Sequence, residues 1–228
     1  MIANKKEFYT GLILVLIFLG VLVVVFSPVF KGQNGLEYLD SLYNSISKGS
    51  AYYIPAVTKE VEPFENKRVD ITFAMADQKQ AEQTAMLFEA GNADVTVAGG
   101  QLKVSGDLGK ILKNCLADAD SMYFNKGEKV AAKYGYDARR VLFNWWTACK
   151  GMDKSLTRQK EFNQAKVVSV VAKKAVETSY NYYGIEPQKI TERMGIVIFS
   201  LVFYVIYTLW YGFGIMFMFE GWGMRLEH

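Results

Sequence analysis

Residues 194–219 read MGIVIFSLVFYVIYTLWYGFGIMFMF, 26 residues without a charge. As a helix the stretch would run about 39 Å at ~1.5 Å per residue, more than the ~30 Å of a bilayer's hydrocarbon layer, so it is expected to cross a membrane. Within it Ser200, Tyr204, Tyr207, Thr208 and Tyr211 fall at i, i+4, i+7, i+8 and i+11 and share one helical face. Hydrocarbon offers a hydroxyl no partner, so this face is expected to meet protein, water or, near its ends, head groups.

A second apolar run, residues 8–30, follows Lys5 and Lys6, and the 14 Leu, Ile, Val and Phe between Leu12 and Phe26 make it the other span. They favour insertion by about 4–8 kcal/mol at ~0.3–0.6 each. The absence of an A-x-A-like cleavage site after it favours a retained anchor over a signal peptide. Lys5 and Lys6 before the run, against Lys31 behind it, orient both termini to the cytoplasm and the middle of the chain outside. A cell membrane, specifically a bacterial inner membrane, is the expected location.

Composition narrows the function. The 228 residues carry a net charge of only +3, with Lys and Arg interleaved among Asp and Glu, so there is no electrostatic footprint for nucleic acid. The one histidine, His228, ends a Leu226-Glu227-His228 that reads as the start of an affinity tag. Without it, Ser-His-Asp and Cys-His catalysis, His-ligated haem and the common His-bearing zinc sites lose their ligand or base. No catalytic residue, cofactor or metal is expected, and the chain is read as not an enzyme. GDLGK at 106–110 fails as a phosphate loop, since Val104 and Ile111 stand at the first-glycine and Ser/Thr positions.

The expected organisation is a tail at 1–7, spans at 8–30 and 194–219, and a short tail with tag residues at 220–228. Residues 31–66 should hold a juxtamembrane amphipathic helix, with Leu36, Leu39, Tyr43 and Ile46 on one face, and an edge strand at 51–57 around Pro55. In 67–127, Val69, Ile71 and Phe73 alternate with Asp70, Thr72 and Ala74 as a half-buried strand. Asp77 is placed to cap a helix that Gly91 ends. A Gly99-Gly100 turn would set Val97 opposite Leu102, Thr96 opposite Lys103 and Val95 opposite Val104. Asp107 then caps a helix with Leu108, Ile111, Leu112, Cys115, Ala119 and Met122 inside.

The order strand, helix, hairpin, helix describes a small α+β domain, ferredoxin-like in architecture, and 128–193 extends it with helices. One helix should span 137–152 with Trp145 on its inner stripe. Another should run from about 155 to 183, carrying a small-residue seam of Ala165, Val168, Ala172, Ala175 and Ser179 suited to close helix contact.

Three smaller features complete the candidates. Cys115 and Cys149, both on apolar helix faces, could form a bridge in an oxidising compartment or remain two buried thiols, and spacing alone leaves both open. Glu60, Glu62 and Glu65 read as a solvated acidic surface, and Asp118 and Asp120, two apart on a helix, as solvent-exposed. The hydroxyl stripe and the Ala165–Ser179 seam offer more packing surface than two spans can absorb. The expected function is therefore a two-pass membrane protein that self-assembles as a homo-oligomer, with a ring as one form, in a scaffold or structural role. The alternatives are an oligomeric channel or transport component with the second span lining a pore, and an accessory subunit among other membrane proteins.

Overall fold

The computed structural model describes residues 2–30 and 32–224. Lys31, which enters the charge count for orientation, and the Leu226-Glu227-His228 tag lie outside the described residues. The fold is mostly helical, with one three-stranded antiparallel sheet, and the chain forms two compact units.

The first unit takes in Met1–Gly49 and Pro187–His228. Helix α1 (Lys5–Phe26) starts on an Asn4 cap whose side chain accepts from the Lys6 and Glu7 amides. Helix α2 (Gly35–Lys48) begins with a reciprocal capping box between Asn34 and Glu37. Helix α10 (Ile190–Trp222) runs antiparallel to α1, with Asn4 donating from its amide to the Gly221 carbonyl at 2.9 Å. By length and composition α1 and α10 are apolar enough to cross a membrane. In their most apolar windows only 11% and 0% of residues are buried, so neither is the hidden core helix of a water-soluble body. The inner side of α2 differs from the expected face: Leu42 and Ser45 are buried, whereas Leu36 is 51% exposed.

The second unit is Ser50–Glu186. Its first element corrects the expected edge strand, since Ile54–Val61 is a helix, α3, with Pro55 in its first turn. An amide there has no intrahelical partner to lose, and the turn buries Ile54, Val57 and Val61 on one side. A short 3-10 turn, Glu62–Phe64, leads to β1 (Arg68–Ala74), α4 (Gln78–Ala90), β2 (Asp94–Ala98), β3 (Gln101–Asp107) and α5 (Leu108–Tyr123).

The sheet order is β1-β3-β2. Residues alternate strictly between exposed and buried along β1. The hairpin has the expected register, Val95 with Val104, Thr96 with Lys103 and Val97 with Leu102. Its Gly99 and Gly100 both take the positive φ that such a two-residue turn demands, +55° and +82°. Asp77 and Asp107 cap α4 and α5 by accepting from the Gln80 and Lys110 amides.

Helices α6 (Gly127–Tyr134), α7 (Ala138–Arg158), α8 (Phe162–Val171) and α9 (Thr178–Tyr182) complete the unit, with a π-helical segment, Ala172–Glu177, joining α8 to α9. The expected boundary near residue 155 is displaced: α7 continues to Arg158, and the break falls at Lys160, whose φ of +65° turns the chain. Helix α7 then closes the free edge of β1. The Ser155 hydroxyl accepts from the Thr72 amide at 3.4 Å and Gln159 Nε2 donates to the Asp70 carbonyl at 2.8 Å. A helix thus answers the edge that a further strand would otherwise pair. Phe73, Phe88 and Trp145 pack as tilted rings through the core at centroid spacings of 5.9 and 5.4 Å. Gly151 lets β1 approach, because a Cβ there would lie 2.6 Å from the Phe73 ring.

Candidate functional site

In the first unit the hydroxyl stripe of α10 divides. Ser200 meets the Tyr43 hydroxyl of α2 at 2.6 Å. Tyr207 stacks on Phe18 of α1 at 4.5 Å, and Tyr211 packs on the same ring at 5.0 Å. Phe18 is 6% exposed as a result. Tyr204 and Thr208 point the other way: Tyr204 is 67% exposed, and the Thr208 hydroxyl turns back to the Tyr204 carbonyl at 2.7 Å.

What binds α1 to α10 is a set of glycines. A Cβ on Gly11 would fall 2.6 Å from both the Gly214 carbonyl oxygen and the Met218 nitrogen. One on Gly221 would strike the Phe8 backbone, and one on Gly214 would press on Val15 at 2.9 Å. Backbones this close gain contact without burying any polar group, which is how helices associate where solvent supplies no hydrophobic drive. The seven-residue spacing of Gly214 and Gly221 was the sequence signal for this seam. Gly212 belongs to another side of α10, with nothing within 4 Å of its Cβ position. It lines an open groove of about 1410 Å³ with Ile215, Met216, Phe219 and the first residues of α1.

In the second unit Ala165, Val168, Ala172, Ala175 and Ser179 are all 6% exposed or less, packed into the unit's own core. The seam is thereby used within one chain. Cys115 and Cys149 are buried free thiols. Burial pushes the Cys115 thiol well above its usual pKa, and a hydrogen bond with Cys149 adds to the effect.

Asp118 overturns the expectation of solvent exposure, for it is 3% exposed. Its Oδ2 accepts from the Tyr134 hydroxyl at 2.6 Å and Trp145 Nε1 at 2.9 Å, and its Oδ1 from Lys133 Nζ at 2.8 Å. Burial first, then the neighbouring Asp118, drives the Tyr134 phenol far above the tyrosine range, and burial holds Tyr136 up at about 12. Both phenols are therefore donors at neutral pH rather than bases, and both carboxylate oxygens are engaged. The cluster braces α5, α6 and α7 together.

The acidic residues also find separate roles. Glu65 pairs with Lys113, and Glu60 lies 3.8 Å from Lys174. Among the described residues no group of three or more His, Cys, Asp or Glu is placed to hold a metal ion. A cleft of about 310 Å³ between α7 and the π segment is lined by Phe143, Trp146, Glu177 and Tyr180. Its rings already carry the chain's own cations, Arg140 over Phe143 at 5.3 Å, Lys150 over Trp146 at 3.5 Å and Arg139 over Tyr180 at 5.9 Å.

A scan of protein-family models, a search of curated proteins and a search of solved structures each gave no match to this chain.

Proposed function

We propose that the chain is a two-pass membrane protein that assembles into a homo-oligomer through the outward face of α10, in a scaffold role rather than as an enzyme. The observation that carries this reading is the alignment of Tyr204, Thr208, Gly212 and Met216 at steps of four on α10. Tyr204 is 67% exposed and Gly212 opens onto the groove. A phenol and a bare glycine on one helical face suit a close-packed helix partner, and each interhelical hydrogen bond in a membrane contributes about 0.6–2 kcal/mol. A second copy supplies the same face, so the contact closes on itself by two-fold symmetry, whereas a ring would pair this face with a different face of the next copy.

In this reading the membrane is a bacterial inner membrane, both termini are cytoplasmic, and the domain, with its ferredoxin-like order of elements, stands outside. Gly212→Leu tests the assembly, because the added side chain meets nothing within one chain. Mass photometry in mild detergent should show an oligomer for the parent protein and a monomer for the variant. A monomeric parent would overturn the proposal.

A further inference from the structure

The two ends of the Ser50–Glu186 unit come together at the C-terminal end of α5, and they do so among aromatic rings. Near the entering end, the Tyr52 ring lies 5.1 Å from those of both Tyr123 and Phe124, and its hydroxyl donates to Asp120 at 2.6 Å. At the leaving end, Tyr182 packs 6.1 Å from Tyr123. The Asn125 side chain accepts from the Gly184 amide at 2.8 Å and donates to the Ile185 carbonyl at 3.1 Å. Two cations edge the group: Lys126 lies 5.9 Å over Phe124, and Arg139 lies 5.2 Å over Tyr183 while donating to its carbonyl.

The rest of the unit exposes large apolar side chains only at scattered positions, Met86, Phe143 and Phe162, whereas the pole groups three. Here Phe124 is 50%, Tyr53 47% and Tyr52 37% exposed. Leaving such rings in water forgoes about 25 cal/mol for every Å² of apolar surface that could be covered. Phenol oxygens and two cations at their margins suit a boundary that is apolar on one side and wet on the other. Chain continuity selects the boundary. Ser50 follows Gly49 directly, and the four residues from Glu186 to Ile190, where α10 begins, reach at most about 14 Å.

Resting on the membrane reading above, we infer that this aromatic pole is a lipid contact. Tyr52, Tyr53 and Phe124 lie in the head-group layer, and Lys126 and Arg139 face its phosphates.

Spin labelling tests this in the full chain in lipid nanodiscs. Cys115 and Cys149 are 0% and 1% exposed, so a nitroxide reagent will label a single introduced cysteine in the folded protein. Labels at Tyr53→Cys and Phe124→Cys are compared with Val202→Cys, on the outward side of α10, and Lys103→Cys, on the exposed side of β3. The expected oxygen-to-nickel accessibility ratio at 53 and 124 is at least twice that at 103 and below that at 202. Ratios at 53 and 124 equal to that at 103, with 202 still oxygen-rich, would overturn the lipid contact and leave the membrane reading intact. A nickel-accessible label at 202 would overturn both.

Discussion

Two seams of small residues hold this protein together, and they work by different physics. Between α1 and α10 the seam is Gly11, Gly214 and Gly221, where backbone meets backbone and almost everything around is apolar and outward-facing. In the domain, Ala165, Ala172, Ala175 and Ser179 sit under a layer of large side chains, Trp145, Met152 and Leu142 among its fully buried members. The domain seam gains from removing apolar surface from water. On the membrane reading proposed above, α1 and α10 have no such gain and depend on contact alone, so their tolerance for an added methyl is lower.

The sharpest way to break the comparison is Gly11→Val. Its branches would enter the Gly214 and Met218 backbone, atoms that cannot rotate aside. The expected loss is ~3 kcal/mol or more, read as a collapse of the thermal transition in detergent. Gly20→Val, on the same helix with nothing within 4 Å, should leave that transition unmoved. Equal loss in both would mean that α1 fails for reasons of propensity rather than contact.

A smaller effect is expected in the domain from Asp118→Ala, which strands the buried Trp145 N–H, the Tyr134 hydroxyl and Lys133. Hydrogen bonds to a charged group are worth about 1.5–3 kcal/mol, so a loss near the top of that range is expected in urea unfolding. The α1–α10 pair should be unaffected, and an unchanged thermal transition in detergent for that pair would show it.

The sequence was legible where chemistry is local. Asp77 and Asp107 stand next to the amides they cap, Gly99-Gly100 contains its own turn, and the alternation of Val69, Ile71 and Phe73 reports its own burial. It misled where partners are remote. Asp118 looked solvated because Lys133, Tyr134 and Trp145, which surround it, lie 15 to 27 residues away. Pro55 suits both a strand edge and a helix's first turn, and only the burial of Ile54, Val57 and Val61 decides between them. The break at Lys160 had no glycine to announce it. Along α1 and α10 the glycines differ in sequence only by spacing, yet Gly11, Gly214 and Gly221 make the contact while Gly20, Gly195 and Gly212 touch nothing.

The mildest test distinguishes the seams by pH. In the domain, Cys115 is raised well above 9.0, Tyr134 is raised far above 10.0, and Tyr52 and Tyr136 are raised from 10.0 to about 12, burial being the leading cause in each. Each is an acid that the fold keeps protonated. Below pH ~8 both folded and unfolded chains hold these protons and stability is flat. Above it the unfolded chain releases them first, so it binds fewer protons and stability falls with rising pH. The slope for a fully buried group such as Cys115 is at most ~1.4 kcal/mol per pH unit. Urea midpoints of the domain should therefore be constant from pH 7 to 8 and decline from pH 8 to 11. Cys115→Ala should make the early part of that decline shallower, because the thiol has the lowest unfolded pKa of the four and is the first to separate the two states.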